Sequence, residues 1–339
     1  MPEPAATFET LATKLDVTYD WSYASTRADL RALYEKAKRS QWLPDEKLPW
    51  DTDVDLDRAP LHESMHPLFG TDMFARMTEK ERTTSARELF TWILSQFLHG
   101  EQGALMAASQ LVLAVPDTDS KFYASTQVVD EGRHVEVYAR YLHEKVGTTY
   151  PVSPYLKQLL DLILTDGRWD IKLLGMQIMV EGLALASFGM IRQVVEEPLV
   201  KQLIHYVMLD EARHVAYGVL SLRDHYRDMK ESERMEREDF VYEAAVLMRD
   251  RFLYEPVWEN LGMPVEECVR LSRESASQLM FRQMLFSKIV PALKKMDLLS
   301  PRQRTRFEAL GILQFEHWAD PFESLAEIST AGTTAEPAV

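Results

Sequence analysis

A pattern of glutamate and histidine occurs twice in this chain at the same spacing. Each copy has a lone glutamate followed, 30 positions later, by a Glu-x-x-His motif, and the second copy is the first shifted by 80 positions. The six residues are Glu101, Glu131, His134, Glu181, Glu211 and His214. Helical bundles that hold two metal ions use this set, with a glutamate on each of two helices and a Glu-x-x-His on each of the other two. The repeat therefore predicts a helical bundle with a dinuclear metal centre.

Turn signals lie midway through both copies. In the first copy the two glutamates lie 16 residues before and 14 residues after Asp117, and in the second copy both lie 15 residues from Glu196. At a rise of about 1.5 Å per residue, an antiparallel pair of helices brings the two carboxylates of each copy level. Within each Glu-x-x-His motif the two side chains share one helix face. All six side chains can therefore converge on one region of the bundle.

The chain also contains a third Glu-x-x-His, formed by Glu63 and His66. A single motif of this kind is weak evidence for a metal site. This one is followed directly by Pro67, and the position 30 residues upstream of Glu63 holds Leu33 instead of a glutamate. We therefore exclude it as a ligand pair. Mixed carboxylate and imidazole ligation in the other two copies suits iron or manganese better than a thiolate-seeking metal.

Composition restricts the compartment and the partners. The chain has 38 basic and 53 acidic residues, a formal charge of −15, and no long basic run, which disfavours nucleic acid and anionic membrane surfaces. A single cysteine, Cys268, excludes an internal disulfide and suits a reducing compartment. The N-terminus lacks a secretory pattern. The segment from Leu173 to Ile191 is strongly apolar, but Glu181 in its middle favours a buried core helix over a membrane span. We expect a cytoplasmic protein.

Helical periodicity predominates after about residue 67, and strand patterns are lacking, so an all-α fold is predicted. We expect an N-terminal helical or extended arm at 1–77, a main helical domain at 78–299, a C-terminal helical segment at 300–326 and a disordered tail at 327–339. The predicted helices lie near 78–114, 119–146, 153–165, 168–195, 198–228, 231–260 and 264–296.

Both motifs extend to Asp-Glu-x-Arg-His. A metal-bound imidazole usually donates its second N–H to a carboxylate or carbonyl, which fixes its tautomer. Asp130 and Asp210 are the candidates for this role in the cofactor site. Arg133 and Arg213 either balance the added negative charge or form ordinary ion pairs on the helix surface.

The doubled Asp-Glu-x-Arg-His, together with the upstream glutamates, resembles the oxygen-activating branch of the ferritin-like di-iron carboxylate superfamily. The resemblance covers about residues 78–228. In this region the doubled motif is similar to those of bacterial multicomponent monooxygenase hydroxylases and, more loosely, of acyl carrier protein desaturases. It implies a ferritin-like four-helix bundle core with additional flanking helices, two iron ions or a manganese–iron pair, and dioxygen as co-substrate. It also implies a small-molecule substrate oxidised at an amine or C–H bond, an external electron donor such as a ferredoxin or flavin reductase, and a homodimer.

A second resemblance involves the radical-bearing small subunit of ribonucleotide reductase. The segment from Trp42 to Glu46 (Trp-Leu-Pro-Asp-Glu) is similar to the Trp-x-Pro-Glu-Glu segment of that family. By analogy, Trp42 would join an electron path through Asp210 to His134, and Tyr138 would occupy the position of the radical tyrosine. The alternative is that both aromatic residues only pack in the core. A radical-generating subunit and an iron-binding ferroxidase are thus alternatives to an oxygenase.

Other positions differ from these families. The link from His134 to Glu181 is 47 residues, which is short for the reductase subunit, and the last tyrosine is Tyr254. The aminobenzoate N-oxygenases, which are of similar length, carry an extra histidine four residues before the second Glu-x-x-His. This chain has Val207 at that position, with His205 nearby. Multicomponent hydroxylases have a threonine one turn after the third glutamate, where this chain has Leu185.

Overall fold

Side-chain caps and a proline set the ends of the two helices that carry the first ligand pair. In the computed structural model, which describes residues 8–318, helix α4 (Glu79–Ala114) begins with a capping box between Thr78 and Glu81. It ends at the extended residue Val115, which precedes a proline and is therefore disfavoured in a helix. The side chain of Asp117 then caps the next helix, α5 (Thr118–Arg140), by accepting the backbone N–H of Ser120. A tight turn therefore joins the two as an antiparallel pair, as predicted.

The second ligand pair is built in the same way. Helix α7 (Trp169–Leu173) continues through a π-helical segment (Leu174–Val180) into α8 (Glu181–Val194), and α9 (Pro198–Leu222) follows. Pro198 occupies the first turn of α9, where its missing N–H costs nothing. The Glu197 carboxylate caps this helix by accepting the N–H groups of Leu199 and Val200. The continuous helix from α7 to α8 and helix α9 pack with α4 and α5 as a ferritin-like four-helix bundle.

Shorter helices flank the bundle, and over the described residues no strand is present, so the all-α prediction is confirmed. Two further irregular segments are a 3₁₀ turn (Glu63–Met65) and a π-helical end to α5 (Tyr141–Val146). The flanking helices are α1 (Ala28–Arg39), α2 (Pro44–Lys47), α3 (Asp72–Arg76), α6 (Pro154–Thr165), α10 (Glu231–Asp250), α11 (Glu255–Asn260), α12 (Val265–Glu274), α13 (Ala276–Met284), α14 (Ile289–Lys295) and α15 (Pro301–Ala309).

Two predicted long helices are interrupted. The predicted helix 231–260 is broken at 251–254, where Tyr254 has a left-handed backbone with φ of +59° and Pro256 sits in the first turn of α11. The predicted helix 264–296 is divided into three, and Pro291 lies in the first turn of the last of them. A proline inside a continuous helix would remove a hydrogen bond and clash with the preceding turn. Both breaks therefore place proline where it is tolerated.

The ends of the chain are described only in part. Asp20 on the N-terminal arm accepts hydrogen bonds from the backbone N–H and the hydroxyl of Thr118, which tie the arm to the start of α5. The predicted C-terminal segment is helical at α15 and in a 3₁₀ turn (Leu313–His317). Residues 1–7 and 319–339, including the predicted tail at 327–339, lie outside the described residues.

The continuous helical segment of 26 residues from Trp169 to Val194 is long and apolar enough to cross a membrane. However, 78% of its most apolar part is buried inside the fold. A helix that is hydrophobic on all sides is expected in the core of a large bundle as well as in a membrane. Its burial here agrees with the interpretation as a core helix of a soluble fold.

Candidate metal centre

The six residues of the repeated pattern meet in the middle of the bundle. All six are buried, and none exposes more than 6% of its surface. They form two overlapping groups whose potential ligand atoms lie within 4.8 Å of one another. One group contains Glu101, Glu131, His134 and Glu211, and the other contains Glu131, Glu181 and His214. Each group combines carboxylate oxygens with one imidazole nitrogen, as the spacing of the motifs predicts.

Two of the glutamates face both imidazoles. The Nδ1 atom of His134 lies 3.3 Å from Glu131 Oε2 and 3.1 Å from Glu211 Oε1. The Nδ1 atom of His214 lies 3.1 Å from the other oxygen of Glu131 and 3.5 Å from the other oxygen of Glu211. Glu101 Oε2 lies 3.3 Å from His134 Nδ1. Glu131 and Glu211 are therefore positioned to bridge two ions, while Glu101 faces the ion site beside His134.

The aspartate of each motif contacts the histidine of the other motif. His134 Nε2 lies 3.1 Å from Asp210 Oδ2, and His214 Nε2 lies 3.3 Å from Asp130 Oδ2. Each aspartate therefore contacts the imidazole of the other motif, through the nitrogen that points away from the glutamates. Such a contact makes Nε2 the protonated nitrogen and leaves Nδ1 free to bind a cation.

The two arginines are buried partners of these aspartates and are not surface residues. Arg133 and Arg213 are each 6% exposed. Arg133 pairs with Asp130 and, at 2.9 Å, with Asp210. Arg213 pairs with Asp210 and, at 3.3 Å, with Asp130. Two arginines thus balance two aspartates, which leaves four glutamate carboxylates to balance two divalent ions. Of the two sequence alternatives, the structure supports charge balance.

Two glutamines at the centre were not identified from the sequence. Gln127 Nε2 donates to Glu131 Oε1 at 3.0 Å and to Glu181 Oε1 at 2.9 Å. Gln177 Nε2 in turn donates to the side-chain amide oxygen, Oε1, of Gln127 at 3.3 Å. Each glutamine lies four residues before a glutamate of the pattern, Gln127 before Glu131 and Gln177 before Glu181. This repeated glutamine was the signal that could have found them.

Burial and mutual charge perturb the titration of the cluster. Burial and the charge of Glu211 raise the pKa of Glu101 to about 8, and the same causes raise the pKa of Glu181 well above its usual value. Burial alone would lower the pKa of His134, but Asp210 and Glu101 more than offset this, so its pKa is raised well above its usual value. Without a metal, protons therefore supply part of the positive charge that the cluster requires.

The cluster contains polar atoms that no protein group satisfies. Among the described residues, five of its buried atoms have no hydrogen-bond partner: Glu131 Oε2, Glu181 Oε2, both carboxylate oxygens of Glu211, and His214 Nδ1. Several of them lie close to one another, but not in the alignment of a hydrogen bond. Unsatisfied buried polar atoms are rare and costly. Carboxylate oxygens and an imidazole nitrogen that converge without hydrogen-bond partners fit a pair of metal ions.

Trp42 reaches the centre from the flanking segment between α1 and α2. Its indole Nε1 donates to Asp210 Oδ2 at 2.8 Å, and the same oxygen lies 3.1 Å from His134 Nε2. The guanidinium of Arg133 stacks 4.7 Å above the indole ring. A continuous polar connection therefore runs from Trp42 through Asp210 to His134, with the three residues in the order that the sequence resemblance implies.

Tyr138 lies in an aromatic cluster beside the centre. It is fully buried, with its ring centre 6.0 Å from that of Phe97 and 6.3 Å from that of Phe188. Among the described residues its hydroxyl has no hydrogen-bond partner, and burial together with the charge of Glu101 raises its pKa well above the usual value. The position combines core packing with proximity to a ligand carboxylate.

The excluded motif lies elsewhere. His66 Nε2 lies 3.0 Å from Ser85 Oγ, and its Nδ1 accepts the N–H of Leu68 at 3.1 Å. Glu63 is exposed and lies 3.8 Å from Arg82. Neither residue belongs to the carboxylate cluster. His66 is therefore a satisfied structural histidine.

Two cavities follow one face of α4. An inner cavity of about 30 Å³ borders the centre and is lined by Phe97, Glu101, Glu181, Glu211 and Arg251, among others. An outer chamber of about 420 Å³ is lined by Phe90, Ile93 and Tyr254, among others. Phe90, Ile93, Phe97 and Glu101 are spaced at three or four residues, so they lie on one side of the helix. The outer chamber is therefore aligned with the inner cavity along α4.

Solved structures with the same fold support this architecture. A variant of the R2-like ligand-binding oxidase with an anaerobically reconstituted Mn/Fe cofactor is 18% identical, with a TM-score of 0.51, and the match covers 81% of this chain and 94% of that chain. A second variant of that oxidase, also anaerobically reconstituted with Mn/Fe, is 18% identical with a TM-score of 0.52, and the match covers 80% and 94% of the two chains. These likenesses confirm the ferritin-like fold.

A search of curated proteins finds no match. The family model described as P-aminobenzoate N-oxygenase AurF matches residues 24–297, which include the whole bundle and all six ligand candidates. Val207, at the position of that family's extra histidine, is fully buried. The family model matches across this position, so the difference does not exclude the chain from the family. The chain belongs to the AurF family of p-aminobenzoate N-oxygenases, and it is a di-iron oxidoreductase that activates dioxygen.

Proposed function

We propose that this enzyme oxidises the amine nitrogen of a small aromatic molecule. The family model supports the reaction type, because its printed description names an N-oxygenase. The observation that carries the proposal is the buried cluster in which two glutamates face both imidazoles and five polar atoms have no protein partner. This donor set suits iron or a manganese–iron pair.

The chain's residues have distinct tasks in this proposal. Glu101, Glu131, Glu211 and His134 would hold one ion, and Glu131, Glu181, Glu211 and His214 the other. When bound, the two metal ions would supply the electrons that reduce dioxygen. Asp130 and Asp210 hold the imidazole Nε2 protons and so fix the tautomer that leaves Nδ1 free. Burial excludes bulk water from the centre, which strengthens the charge interactions inside it.

Metal analysis combined with an activity assay tests the proposal. We expect about two iron ions per chain and oxidation of 4-aminobenzoate at nitrogen when a chemical reductant and dioxygen are present. The variant Glu131→Ala removes a carboxylate that faces both histidines and should lose both metal and activity. The matched control is Glu63→Ala, from the excluded motif, which should keep both. A protein without metal would overturn the proposal, and thousands of ions per assembly would favour iron storage.

We further propose that electrons from a separate donor enter through Trp42. The indole is 6% exposed and borders a surface cavity of about 500 Å³ whose lining includes Lys36, Arg39 and Lys47. Such a basic rim suits an acidic electron-transfer protein. The Trp42→Phe variant keeps an aromatic ring but loses the bond to Asp210, and we expect slower reduction of the ferric protein in stopped-flow measurements.

The matched control for this test is Trp50→Phe. The Trp50 indole donates instead to the carbonyl of Pro44 at 3.1 Å and has no contact with the aspartates. We expect its reduction rate to equal that of the wild type. Equal rates in both variants would show that electrons take another path.

Tyr138 is our proposed redox-active tyrosine. Its burial beside Glu101 and its lack of a hydrogen-bond partner among the described residues would isolate an oxidised ring from solvent. Electron paramagnetic resonance after reaction of the reduced iron protein with dioxygen tests this role. A tyrosyl signal that disappears in Tyr138→Phe supports it. A wild-type protein that shows no such signal would restrict Tyr138 to packing.

We also propose that the protein acts as a cytoplasmic homodimer. Met106 and Leu113 on α4 and Val129 on α5 are apolar side chains at least 45% exposed, and a dimer through this face would bury them. Light scattering should then give twice the chain mass of 39.1 kDa. A monomeric mass would overturn this proposal without affecting the chemistry of the centre.

A further inference from the structure

Arg251 is a buried cation without an anionic partner at the wall of the inner cavity, and its guanidinium lies 4.9 Å from the ring centre of Phe252. It is 4% exposed, and it lines that cavity together with Glu101, Glu181 and Glu211. Among the described residues no ion pair or side-chain hydrogen bond satisfies its guanidinium, and its buried Nε atom has no partner. Burial lowers the pKa of Arg251 to about 10, so the group stays charged near neutral pH.

The carboxylate of Asp250, the residue before Arg251, is already hydrogen-bonded to Arg249. Asp250 accepts two hydrogen bonds of 2.7 Å from Arg249, one to each carboxylate oxygen. A second buried arginine nearby, Arg282, is instead satisfied, because it donates to the carbonyls of Ser272 at 3.1 Å and Arg273 at 2.9 Å. Burial alone therefore does not explain why Arg251 lacks an anion or a carbonyl acceptor.

A buried charge without a partner is costly, and proteins rarely keep one. The glutamates of the inner cavity would be committed to the metal ions. Much of the remaining lining is apolar or small: Phe97, Gly100, Ala104, Val180, Leu183 and Ala184. The described residues that line the cavity thus offer no free anion to Arg251. A bound anion would supply the missing negative charge.

We propose that Arg251 binds a carboxylate group of the substrate and thereby determines substrate specificity. The inference rests on the proposed function, in which the substrate is a small aromatic amine. An arginine fork matches a carboxylate through two parallel hydrogen bonds, which fixes orientation as well as charge. Arg251 would therefore orient the amine with respect to the metal centre, as a group that contacts the substrate and takes no part in the oxidation.

The arrangement of the two cavities gives such a substrate its space. The inner cavity, at about 30 Å³, has the volume of roughly one water molecule. With its carboxylate at Arg251 and its amine towards the glutamates, the ring of an aromatic substrate therefore needs the space that Phe97 would vacate by moving towards the outer chamber of about 420 Å³. Tyr254 lines that chamber three residues after Arg251 lines the inner cavity, so the turn 251–254 borders both. Phe97 lies one turn after Ile93 on α4, between the two spaces, and would have to move on binding.

Binding measurements on the iron-loaded, oxidised protein test the proposal without turnover. The probes are 4-aminobenzoate and its neutral analogue 4-aminobenzamide, and their dissociation constants are measured by calorimetry. The wild type should bind the carboxylate at least tenfold more tightly than the amide. Arg251→Met should abolish this preference, Arg251→Lys should retain part of it, and the control Arg270→Gln, at an exposed arginine paired with Glu274, should retain it fully. An equal preference in the wild type and Arg251→Met would overturn the inference.

Thermal unfolding provides the second readout. Since the guanidinium contacts the ring of Phe252 but has no anionic partner among the described residues, Arg251→Met should unfold within a few degrees of the wild type or higher. A variant that unfolds many degrees lower would reveal a structural partner and would also overturn the inference. An assay of amine oxidation separates the two proposals. If Arg251 selects carboxylates but no amine is oxidised, the proposed function fails alone. If amines are oxidised while Arg251→Met keeps the preference, the inference fails alone.

Discussion

Individual side chains link the two halves of the centre. Gln127 donates from a single amide nitrogen to Glu131 and Glu181, which come from different copies of the repeat. It also accepts from Gln177. A hydrogen bond of this kind fixes the orientation of a ligand carboxylate before any metal binds. The metal geometry is therefore set partly by residues that do not contact the metal.

The variant Gln127→Leu should weaken iron binding by about 10- to 100-fold, because two ligand carboxylates lose the donor that orients them. Competition against a chelator measures this affinity. The control is Gln102→Leu on the exposed face of α4. Affinity that is unchanged in both variants would show that the glutamine does not orient the ligands.

His66 makes a residue-scale contribution to acid sensitivity. Burial lowers its pKa to about 4, below the value of about 6.5 in an unfolded chain. Between these values the unfolded chain binds a proton that the folded chain does not, so stability falls as the pH falls through this window. At pH 5 the loss relative to pH 7 should be about 2 kcal/mol.

His66→Gln should remove this part of the pH dependence, which the difference between urea midpoints at pH 7 and pH 5 measures. His62→Gln is the control, since His62 is exposed on the same segment. The prediction is wrong if His66→Gln loses as much stability on acidification as the wild type does.

At the scale of elements, helix ends and irregular turns position the ligands. The segment from 168 to 195 is predicted from sequence as one regular helix, yet residues 174–180 are π-helical directly before Glu181. A π-helical turn holds more residues than an α-helical turn, so it rotates the following side chains relative to the preceding ones. The direction of Glu181 therefore depends on this irregular segment.

The cap of α9 allows a test at this scale, because α9 carries Glu211 and His214. The Glu197 carboxylate accepts hydrogen bonds of 2.7 Å from two backbone N–H groups. It also accepts a hydrogen bond of 3.1 Å from the hydroxyl of Tyr141. Glu197→Ala should therefore cost about 1–2 kcal/mol of stability. The adjacent Glu196 is exposed and makes no cap, so Glu196→Ala should cost much less. Chemical denaturation of both variants compares them, and equal losses would contradict the capping role.

For the whole molecule, the buried charge cluster makes stability depend on metal. Burial and neighbouring negative charge raise the pKa values of Glu101 and Glu181, so in the absence of ions protons reduce the repulsion within the cluster. Two metal ions should replace those protons and stabilise the folded state. Metal binding is then coupled to the stability of the bundle, because the ligand candidates come from four separate helices that must keep their relative positions.

Free metal at 100 times its dissociation constant should add about 3 kcal/mol to the free energy of unfolding, which raises the melting temperature by several degrees. Calorimetry of the protein before and after chelation measures this shift. Glu131→Ala should show little or no shift. A wild-type protein whose melting temperature is independent of metal would contradict a structural link between the centre and the bundle.

The sequence predicted the bundle well because its signals are local. The caps at Thr78 and Asp117 and the prolines near both turns determine where helices begin and end, whatever surrounds them. The interruptions at 251–254 and within 264–296 were missed, since helical periodicity continues across them. The outcome at Tyr254 depends on how the turn packs, which periodicity does not report.

The sequence by itself determined the six ligand candidates and the all-α class. Helical rise and turn position place residues along a rod, so equal spacing brings carboxylates level. Only the tertiary structure decided that each aspartate contacts the histidine of the other motif, that Gln127 bonds to two ligand candidates and that Arg251 has no anionic partner. These features depend on which side chains meet across different helices, and the spacing of residues along one chain does not specify that.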